Sequence, residues 1–589
     1  MAELPNADTL TQGIATAPGD LPLSDVYARQ LAQIQQFRHD NTIEPLGPCP
    51  GEPVEVWATS GNMVPLERAS VYYTTDGRQP DARTSAMLPM ERVRMDWEPR
   101  VGFLTRWRAV IPAQSAGTVV RYRIGGWRTE AAQAHDGEPD LWAHDGQGHW
   151  YRYSGATGVT TFAYHMEPPE AAAPGWIRDA VIYQIFLDRF HPGTADGAFP
   201  AGRGPKQLHG GTLHGVRLAL PYLADLGVSC LWLSPINPAE SYHRYDATDY
   251  YHVDPSLGGD DALRQLVDAA HQRGLRIMLD FVPNHCSWHH PAFEAAQRDP
   301  FAPTASWFTF DERPHRYRSF LDSQPFLPTF NTDDPGARAY IIGSAVQWLR
   351  DYGVDAFRLD HAIGPSMDFW VAMRVATRAV APECFTVGEV TDTPEALRRF
   401  RGRLDAVLDF PLARALRLTF ARDDWDATRF DNFLTAYARY MASGPGTVSF
   451  LDNHDLNRFL YVAANQLPRL KLAALCQFTL ERPPTIYYGT EIGLTHGEDI
   501  DVGADGDAAA RADMSWDERQ WNQDLLGFYR RLIHLRRERR ALRHGSRRTV
   551  HLDAAAGTYA YLRSLPEDQT GGSEDVLSAF NLSEHTRAI

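Results

Sequence analysis

The sequence lacks the features of membrane and secreted proteins. None of its apolar runs approaches the roughly 20 residues that a membrane-spanning helix needs. Its N-terminus, MAELPNADTLTQG, lacks the basic start and apolar stretch of a secretory signal. We therefore expect a cytoplasmic protein with no membrane partner.

Cysteine is scarce and shows no metal or redox pattern. The five cysteines are odd in number and scattered, without the CxxC spacing of zinc or redox sites. We expect most of them to be reduced and buried. They are Cys49, Cys230, Cys286, Cys384 and Cys476.

Basic residues are fewer than acidic residues in this sequence. The chain has 58 Lys and Arg against 74 Asp and Glu, a net charge of −16, and this surplus of acid discourages binding to phosphate backbones. The arginines from Arg536 to Arg540 could form a nucleic-acid patch. They alternate with Leu535 and Leu542 in a helical pattern, however, which favours a solvated helix face. We expect no nucleic-acid partner.

The 589 residues exceed one ordinary domain. In the N-terminal segment, residues 1–41, a helix is predicted near Leu23 to His39. Short alternating runs such as VEVWAT and SVYYTT, separated by Gly, Pro and Asp turns, then predict an antiparallel β-sandwich over residues 42–165. The Pro and Ala of MEPPEAAAPG, residues 166–175, predict a linker.

A different pattern starts after the linker. Eight short apolar runs with amphipathic helices between them predict an α/β fold, a (β/α)8 TIM barrel over residues 176–544. Two of the helices are predicted to end on Gly274 and Gly353. The runs are AVIYQIF, VSCLWLS, RIMLDFV, VDAFRL, FTVGEV, AVLDF, TVSFLDN and PTIYYGT.

Two further units flank the barrel pattern. The connection after the third run is long, which predicts a small inserted subdomain at about residues 286–332. Strand-like runs after Gly545 predict a short C-terminal β-domain over residues 545–589. This domain stops early, which suggests a truncated chain.

Charged residues end several predicted strands, where barrel enzymes assemble their sites. Arg358 and Asp360 are two residues apart and share one face of a strand. Glu389 has the equivalent place on the next strand, and His454 and Asp455 follow the seventh run. One such carboxylate is more often a helix cap or a surface ion pair. Three converging at the barrel mouth include the pair that glycosidic bond cleavage needs.

Four segments resemble the signature regions of the α-amylase superfamily, glycoside hydrolase family 13, in the order found there. The resemblance extends from about Ala180 to Gly493. The segments are DFVPNH at Asp280 to His285, FRLDH at Phe357 to His361, GEV at Gly388 to Val390 and FLDNHD at Phe450 to Asp455.

The resemblance implies a retaining mechanism with a covalent glucosyl-enzyme intermediate. Asp360 would attack the anomeric carbon, Glu389 would protonate the leaving oxygen and later activate water, and Asp455 would grip sugar hydroxyls. This chemistry requires Asp360 to be anionic and Glu389 to be protonated before attack. For His285 and His454, a purely structural role stays open. The implied substrate-binding residues are Arg358, His285, His454, Tyr245 and His361.

The N-terminal sandwich and the DFW at Asp368 to Trp370 resemble the cyclomaltodextrinase, neopullulanase and maltogenic amylase group. This resemblance implies oligosaccharide substrates, namely short maltodextrins, cyclodextrins or pullulan cleaved mainly at α-1,4 bonds, and a homodimer formed through the N-terminal domain. Ile363 and Gly364 stand where that group usually carries Asn-Glu, so the acceptor site must differ.

No cofactor is required by this chemistry, and a structural calcium ion has weak support. Thr212 stands where relatives often have Asp, which removes a hard anionic ligand. Asp188, Asp196 and Asp254 are better interpreted as loop or capping carboxylates than as calcium ligands.

Two alternatives to the hydrolase stay open. An α-glucosyl transferase or a trehalose- or isomaltulose-type isomerase would use the same covalent intermediate but exclude water from it. A carbohydrate-binding protein that has lost activity is a remote alternative, because a dead barrel is expected to lack at least one of the three carboxylates.

Overall fold

The computed structural model describes residues 36–99, 102–128, 138–145, 160–167, 173–321, 323–567 and 572–588. Its first domain has ten strands: β1 (Phe37–Arg38), β2 (Ile43–Glu44), β3 (Val54–Gly61), β4 (Arg68–Thr74), β5 (Ala86–Pro89), β6 (Glu91–Glu98), β7 (Gly102–Ile111), β8 (Val119–Trp127), β9 (Leu141–Trp142) and β10 (Phe162–His165). They form two antiparallel sheets. One has the order β1-β3-β7-β6 with β2 beside β3, and the other has the order β10-β8-β4-β5 with β9 beside β8.

The alternation of buried and half-buried side chains along the strands agrees with the predicted sandwich. Along β3 the residues Val54, Val56 and Ala58 are buried and the residues between them are half-buried, as a strand with one face on the core requires. The core between the sheets includes Trp107 and Tyr122. The antiparallel N-terminal architecture is confirmed.

The helix predicted to end at His39 is wrong in its described part. Phe37 and Arg38 form β1, which pairs with Ser60 and Thr59 of β3. This pairing places Phe37 in the sandwich core, so tertiary packing overrides the local helical pattern. The predicted helix before Gln36 lies outside the described residues.

The predicted linker begins as part of the sandwich. The amide of Met166 donates a hydrogen bond to the carbonyl of Thr118, and the amide of Gly117 donates one to the carbonyl of Met166. Met166 is fully buried. Residues 168–172 of the predicted linker lie outside the described part of the chain.

The second domain is a closed parallel barrel of eight strands, and all eight predicted runs supply one each. They are β11 (Ile182–Ile185), β12 (Cys230–Leu233), β13 (Arg276–Phe281), β18 (Ala356–Leu359), β19 (Phe385–Gly388), β20 (Ala406–Leu408), β21 (Gly446–Phe450) and β22 (Pro484–Tyr487).

Helices surround the barrel and follow its strands. They are α1 (Trp176–Asp179), α2 (Leu187–Phe190), α3 (Leu213–Leu226), α4 (Gly259–His271), α5 (Pro291–Arg298), α6 (Pro335–Tyr352), α7 (Met367–Val380), α8 (Pro394–Arg398), α9 (Phe410–Leu416), α10 (Ala427–Met441), α11 (Phe459–Val462), α12 (Leu467–Thr479), α13 (Gln523–Glu538) and α14 (Arg540–His544). Short 3-10 helices lie at Pro255–Leu257, Ala305–Trp307, Thr490–Ile492, Gly506–Ala510 and Glu518–Gln520, and a π-helix at Arg417–Ala421.

The ends of α6 show how its sequence sets its boundaries. The Asp334 side chain accepts hydrogen bonds from two backbone amides of the first turn, and Pro335 follows at the first helical position. At the other end Gly353 has φ 71°, as predicted for a C-terminal stop. Gly274 has the same φ, but α4 already ends at His271, one turn earlier than predicted.

The arginine run is not a uniformly solvated face. Arg536, on α13, is fully buried, and its guanidinium donates to the carbonyls of Phe478, Leu480 and Arg482 at the C-terminal end of α12 and beyond it. Arg537 and Arg539 are exposed as predicted. The prediction is therefore wrong for Arg536. Its guanidinium donates hydrogen bonds to backbone carbonyls that have no partner within α12.

The segment after the third barrel strand carries α5 and two small hairpins, β14 (Phe310–Glu312) with β15 (Arg316–Tyr317) and β16 (Ser319–Phe320) with β17 (Gln324–Pro328). The C-terminal sheet has the antiparallel order β23 (Ser546–Asp553), β24 (Thr558–Leu565) and β25 (Glu574–Asn581). No helix within the described ranges is long and apolar enough to cross a membrane.

Asp368 ties the sandwich to the barrel. This carboxylate at the start of α7 is 1% exposed and accepts a hydrogen bond from Arg121 of β8 at 2.9 Å and one from Arg338 of α6 at 2.7 Å. Two guanidinium groups from different domains therefore share one buried carboxylate. Breaking such a pair costs more than the pair itself contributes, because it leaves charge buried and unpaired.

We expect Asp368→Asn to lower the free energy of unfolding by about 3 kcal/mol, measured as a lower midpoint in urea. The matched control is Asp351→Asn, which removes an exposed carboxylate paired with Arg350. It should leave the midpoint unchanged. Equal midpoints for the two variants would show that the junction does not depend on Asp368.

Candidate active site

Along two neighbouring barrel strands the interior changes from apolar to charged within two residues. Alternate residues of a strand face the same side. Ala356 lies in the apolar core inside the barrel, so Arg358 and Asp360, two and four residues later, face the same interior nearer its C-terminal end. The same step leads from Met278 to Asp280.

Arg358 is the centre of the charged cluster. Its Nη1 donates to Asp360 Oδ1 at 2.8 Å and to Asp280 Oδ1 at 2.7 Å, and its Nη2 lies 2.9 Å from Glu389 Oε2. Its side chain is fully buried. The predicted contact between Arg358 and Asp360 is present, and the same guanidinium also contacts Glu389.

The shared guanidinium brings the two predicted catalytic carboxyls together. Two oxygens in contact with one planar guanidinium can be at most about 8 Å apart. Glu389 also accepts a hydrogen bond from the backbone amide of His361 at 2.9 Å. His361 has φ 43°, a strained conformation for a residue with a side chain. The residue that follows Asp360 thus positions Glu389.

Asp455 is held from another side. Its Oδ1 accepts from Arg511 at 2.9 Å and its Oδ2 lies 3.0 Å from His454 Nε2. Its side chain is 39% exposed, against 10% for Asp360 and 12% for Glu389. Asp455 is therefore the most accessible of the three carboxylates.

Tyr245 and His454 connect the two parts of the site. The Tyr245 hydroxyl lies 2.6 Å from His454 Nε2 and donates to Asp280 Oδ2 at 2.9 Å, and the two rings are stacked. Gln184 Nε2 lies 2.8 Å from the other nitrogen of His454, and Trp232 Nε1 donates to Asp280. These contacts hold the His454 ring through both of its nitrogens.

His285 and His361 lie on either side of Phe320. The Phe320 ring centroid is 4.7 Å from that of His285 and 4.8 Å from that of His361. Burial lowers the pKa of His285 to about 3 and that of His361 to about 4, so both rings are neutral at pH 7. His285 Nε2 is buried and has no hydrogen-bond partner among the described residues.

Burial raises the pKa of both Asp360 and Glu389. Arg358 opposes the rise in each, whereas Glu389 and Asp280 add to it for Asp360, and Asp455 adds to it for Glu389. Both pKa values are raised because three carboxylates share one guanidinium, so the cluster as a whole retains a proton. Burial also acts to raise the pKa of Asp455, but His454 and Arg511 hold it below its usual range.

A family model described as alpha amylase, catalytic domain, matches residues 184–523, more than half of the chain. The chain belongs to the α-amylase family. It is 35% identical to alpha-amylase 2 of Dictyoglomus thermophilum over 378 residues, 64% of this chain and 66% of that protein, just under two thirds of the relative's length.

Two further similarities extend the family relation. A cyclomaltodextrinase of Geobacillus thermopakistaniensis is 34% identical over 434 residues, 71% of each chain. A solved cyclomaltodextrinase structure has a TM-score of 0.64 at 26% identity and covers 93% of this chain and 91% of that one. The resemblance to this group is confirmed, and the chain is an α-amylase family hydrolase.

Gly364 shows how this member departs from the usual pattern. A Cβ added there would lie 2.0 Å from Asn284 Oδ1 and 3.0 Å from a His361 ring atom. Asn284 therefore takes the space into which a side chain at position 364 would begin. This packing disfavours a side chain at position 364, the second of the two positions where the group usually carries Asn-Glu.

The candidate calcium ligands of the family serve other purposes. Thr212 caps α3, Asp188 accepts from the amides of His209 and Gly210, and Asp254 caps a short helix and pairs with Arg244. Asp196 accepts from the amide of Ala198. Within the described ranges no three His, Cys, Asp or Glu side chains form a group suited to a metal ion. These residues do not fit a calcium site.

Four residues of the site were not predicted. Asp280 begins the DFVPNH segment, and Gln184 and Trp232 occupy inward positions of the first two runs, so the two-residue spacing could have found them. Arg511 lies in a loop after β22, and no pattern in the sequence connects it to Asp455.

Asp280→Asn should lower kcat strongly and shift the acidic limb of the pH profile of kcat/KM to lower pH. Removing this negative charge lowers the pKa of Asp360, which must be ionised to react, so activity persists to lower pH. A role confined to folding would lower the unfolding midpoint and leave the limb in place.

Proposed function

We propose that this chain is a retaining α-glucoside hydrolase that cleaves mainly α-1,4 bonds of short maltodextrins, cyclodextrins or pullulan. The observation that carries the proposal is the contact of one buried guanidinium, Arg358, with both Asp360 and Glu389. Glycoside hydrolysis needs two carboxyl groups that flank one glycosidic bond and differ in protonation.

Hydrogen-bond geometry favours Glu389 as the protonated partner. Arg358 Nη1 donates to Asp360, whereas Nη2, although 2.9 Å from Glu389, makes no hydrogen bond of acceptable geometry. The charge of Asp360 is thus better compensated than that of Glu389. We infer that Asp360 is the nucleophile and Glu389 the general acid, which acts as the base for water in the second step.

The other predicted residues would hold the sugar. Asp455, exposed and kept ionised, would accept hydrogen bonds from sugar hydroxyls as positive charge develops at the anomeric carbon. The unpartnered Nε2 of His285 would find its partner in a sugar hydroxyl, since a buried ring nitrogen without one is costly. Tyr245 would support the site through His454 and Asp280 and offer its ring to the substrate.

Asp360→Asn and Glu389→Gln should each lower kcat on maltotriose by several orders of magnitude, while circular dichroism shows that both variants remain folded. Asp351→Asn and Glu395→Gln, exposed matched controls, should retain activity. Proton NMR of the first product should show the α-anomer. A β-anomer, or a near-normal rate in either catalytic variant, would contradict the proposal.

The same preparation should release glucose or maltose from β-cyclodextrin, pullulan or maltotriose. Products from starch, isomaltose, sucrose and trehalose define the linkage preference. Isomerised disaccharide in place of free glucose would instead favour the transferase or isomerase alternative, which shares the covalent intermediate.

We also propose a homodimer through the N-terminal domain. β6 is an edge strand on which Met95 and Trp97 are 57% and 62% exposed, and Phe103 beside them is 50% exposed with its ring 4.8 Å from that of Trp97. An exposed apolar cluster on an edge that no described strand pairs is typical of an association surface. A second copy of the chain is the occupant that the resemblance to the cyclomaltodextrinase group implies.

Trp97→Asp should convert a dimer into a monomer in sedimentation equilibrium, because a charge in a buried apolar contact is unfavourable. Leu577→Asp, at an exposed apolar position of the C-terminal sheet, is the matched control and should remain dimeric. A monomeric wild type, or a dimeric Trp97→Asp variant, would reject this interface.

A cytoplasmic location belongs to the same proposal. All five cysteines are unpaired, four of them buried and Cys49 half-buried. Free thiols persist in a reducing compartment.

A further inference from the structure

Two exposed aromatic side chains lie opposite each other in the inserted subdomain. The segment that follows β13 pairs antiparallel with β17, starting at the bridge between His285 and Thr329. Further along the same pairing, the amide of Trp288 donates to the carbonyl of Phe326 at 3.0 Å. Residues opposite each other in an antiparallel pair point to the same face. Trp288 and Phe326, 44% and 39% exposed, therefore form one aromatic pair.

This aromatic pair continues a surface that begins in the active site. Phe320 pairs with Gln324 of β17, and its ring lies beside two histidine rings of the active site. Gln324 and Phe326 are two residues apart, so Phe326 points to the same side of β17 as Phe320. Trp288 follows His285 by three residues, which span at most about 11 Å. An oligosaccharide bound at the catalytic carboxyls can therefore extend to the aromatic pair.

Polar groups border the aromatic pair. The ring of His289 is 5.4 Å from that of Trp288, and its nitrogens lie 3.7 Å from Glu240 and 3.4 Å from Glu294. These three polar side chains are exposed. A sugar ring presents C–H groups on its faces and hydroxyls at its edge, so it suits flat apolar rings beside hydrogen-bonding groups. A purely apolar ligand would leave the polar border unused.

Packing of the protein does not account for the two rings. Neither belongs to an apolar core cluster within the part of the chain that the structure describes. Adjacent exposed apolar side chains with a polar border are typical of a binding site. We propose that Trp288 and Phe326 bind a further glucosyl unit of the substrate cleaved at Asp360 and Glu389, and so favour long α-glucans over short ones. This inference rests on the proposed function.

The test compares Trp288→Ala/Phe326→Ala with the wild type on maltotriose and on maltoheptaose. Loss of two stacking surfaces should raise KM for maltoheptaose by about fivefold to tenfold, with kcat nearly unchanged. The effect on maltotriose should be less than about twofold, because a shorter chain gains less from a distant contact. Trp288→Tyr/Phe326→Tyr keeps two rings and should retain the preference for maltoheptaose.

Tyr440→Ala is the matched control. Tyr440 is 40% exposed near the end of α10, the helix that leads into β21, and so lies at the opposite end of the barrel from the active site. This variant should have the wild-type KM for both substrates. A loss in Trp288→Ala/Phe326→Ala that does not depend on chain length would overturn the inference, because a merely structural role affects both substrates equally.

Electrophoresis in a gel that contains amylose measures binding without turnover. The wild type should be retarded and Trp288→Ala/Phe326→Ala less so. An inactive wild type whose retardation depends on the two rings would contradict the proposed function and support binding by the aromatic pair. Unchanged KM and unchanged retardation in an active double variant would overturn the inference and leave the proposed function intact.

Discussion

The catalytic end of the barrel depends on burying Arg358. A guanidinium without solvent needs acceptors around it, and Asp280, Asp360 and Glu389 supply carboxylate oxygens to Arg358 from three adjacent strands. The three carboxyl groups share the single positive charge of Arg358. Ionising all three would therefore leave negative charge buried without compensation, which is unfavourable. Stability and reactivity therefore have one origin, because the shortage of positive charge keeps a proton on the cluster.

Three groups beside this cluster keep one protonation state near neutral pH. Burial keeps His285 and His361 neutral, and the Tyr245 hydroxyl, hydrogen-bonded to Asp280 and His454, has its pKa raised well above the usual value by burial. Asp455 differs from the other two because His454 and Arg511 keep it ionised at a more accessible position.

The same principle recurs away from the active site. Asp368 joins the sandwich to the barrel because two arginines from different domains need its charge, and Arg536 serves backbone carbonyls at the end of α12.

The sequence by itself determined the eight-stranded barrel. Eight short apolar runs that alternate with amphipathic helices are compatible with few folds other than a parallel barrel covered by helices. They also placed Asp360 and Glu389 directly after strands and Asp455 in the loop that follows β21. Only the tertiary structure decided that Arg358 contacts Glu389 as well as Asp360, that Arg511 reaches Asp455 from a distant loop, and that Phe37 joins a sheet and not a helix. These outcomes depend on contacts between residues far apart in the chain, whose distances no local pattern encodes.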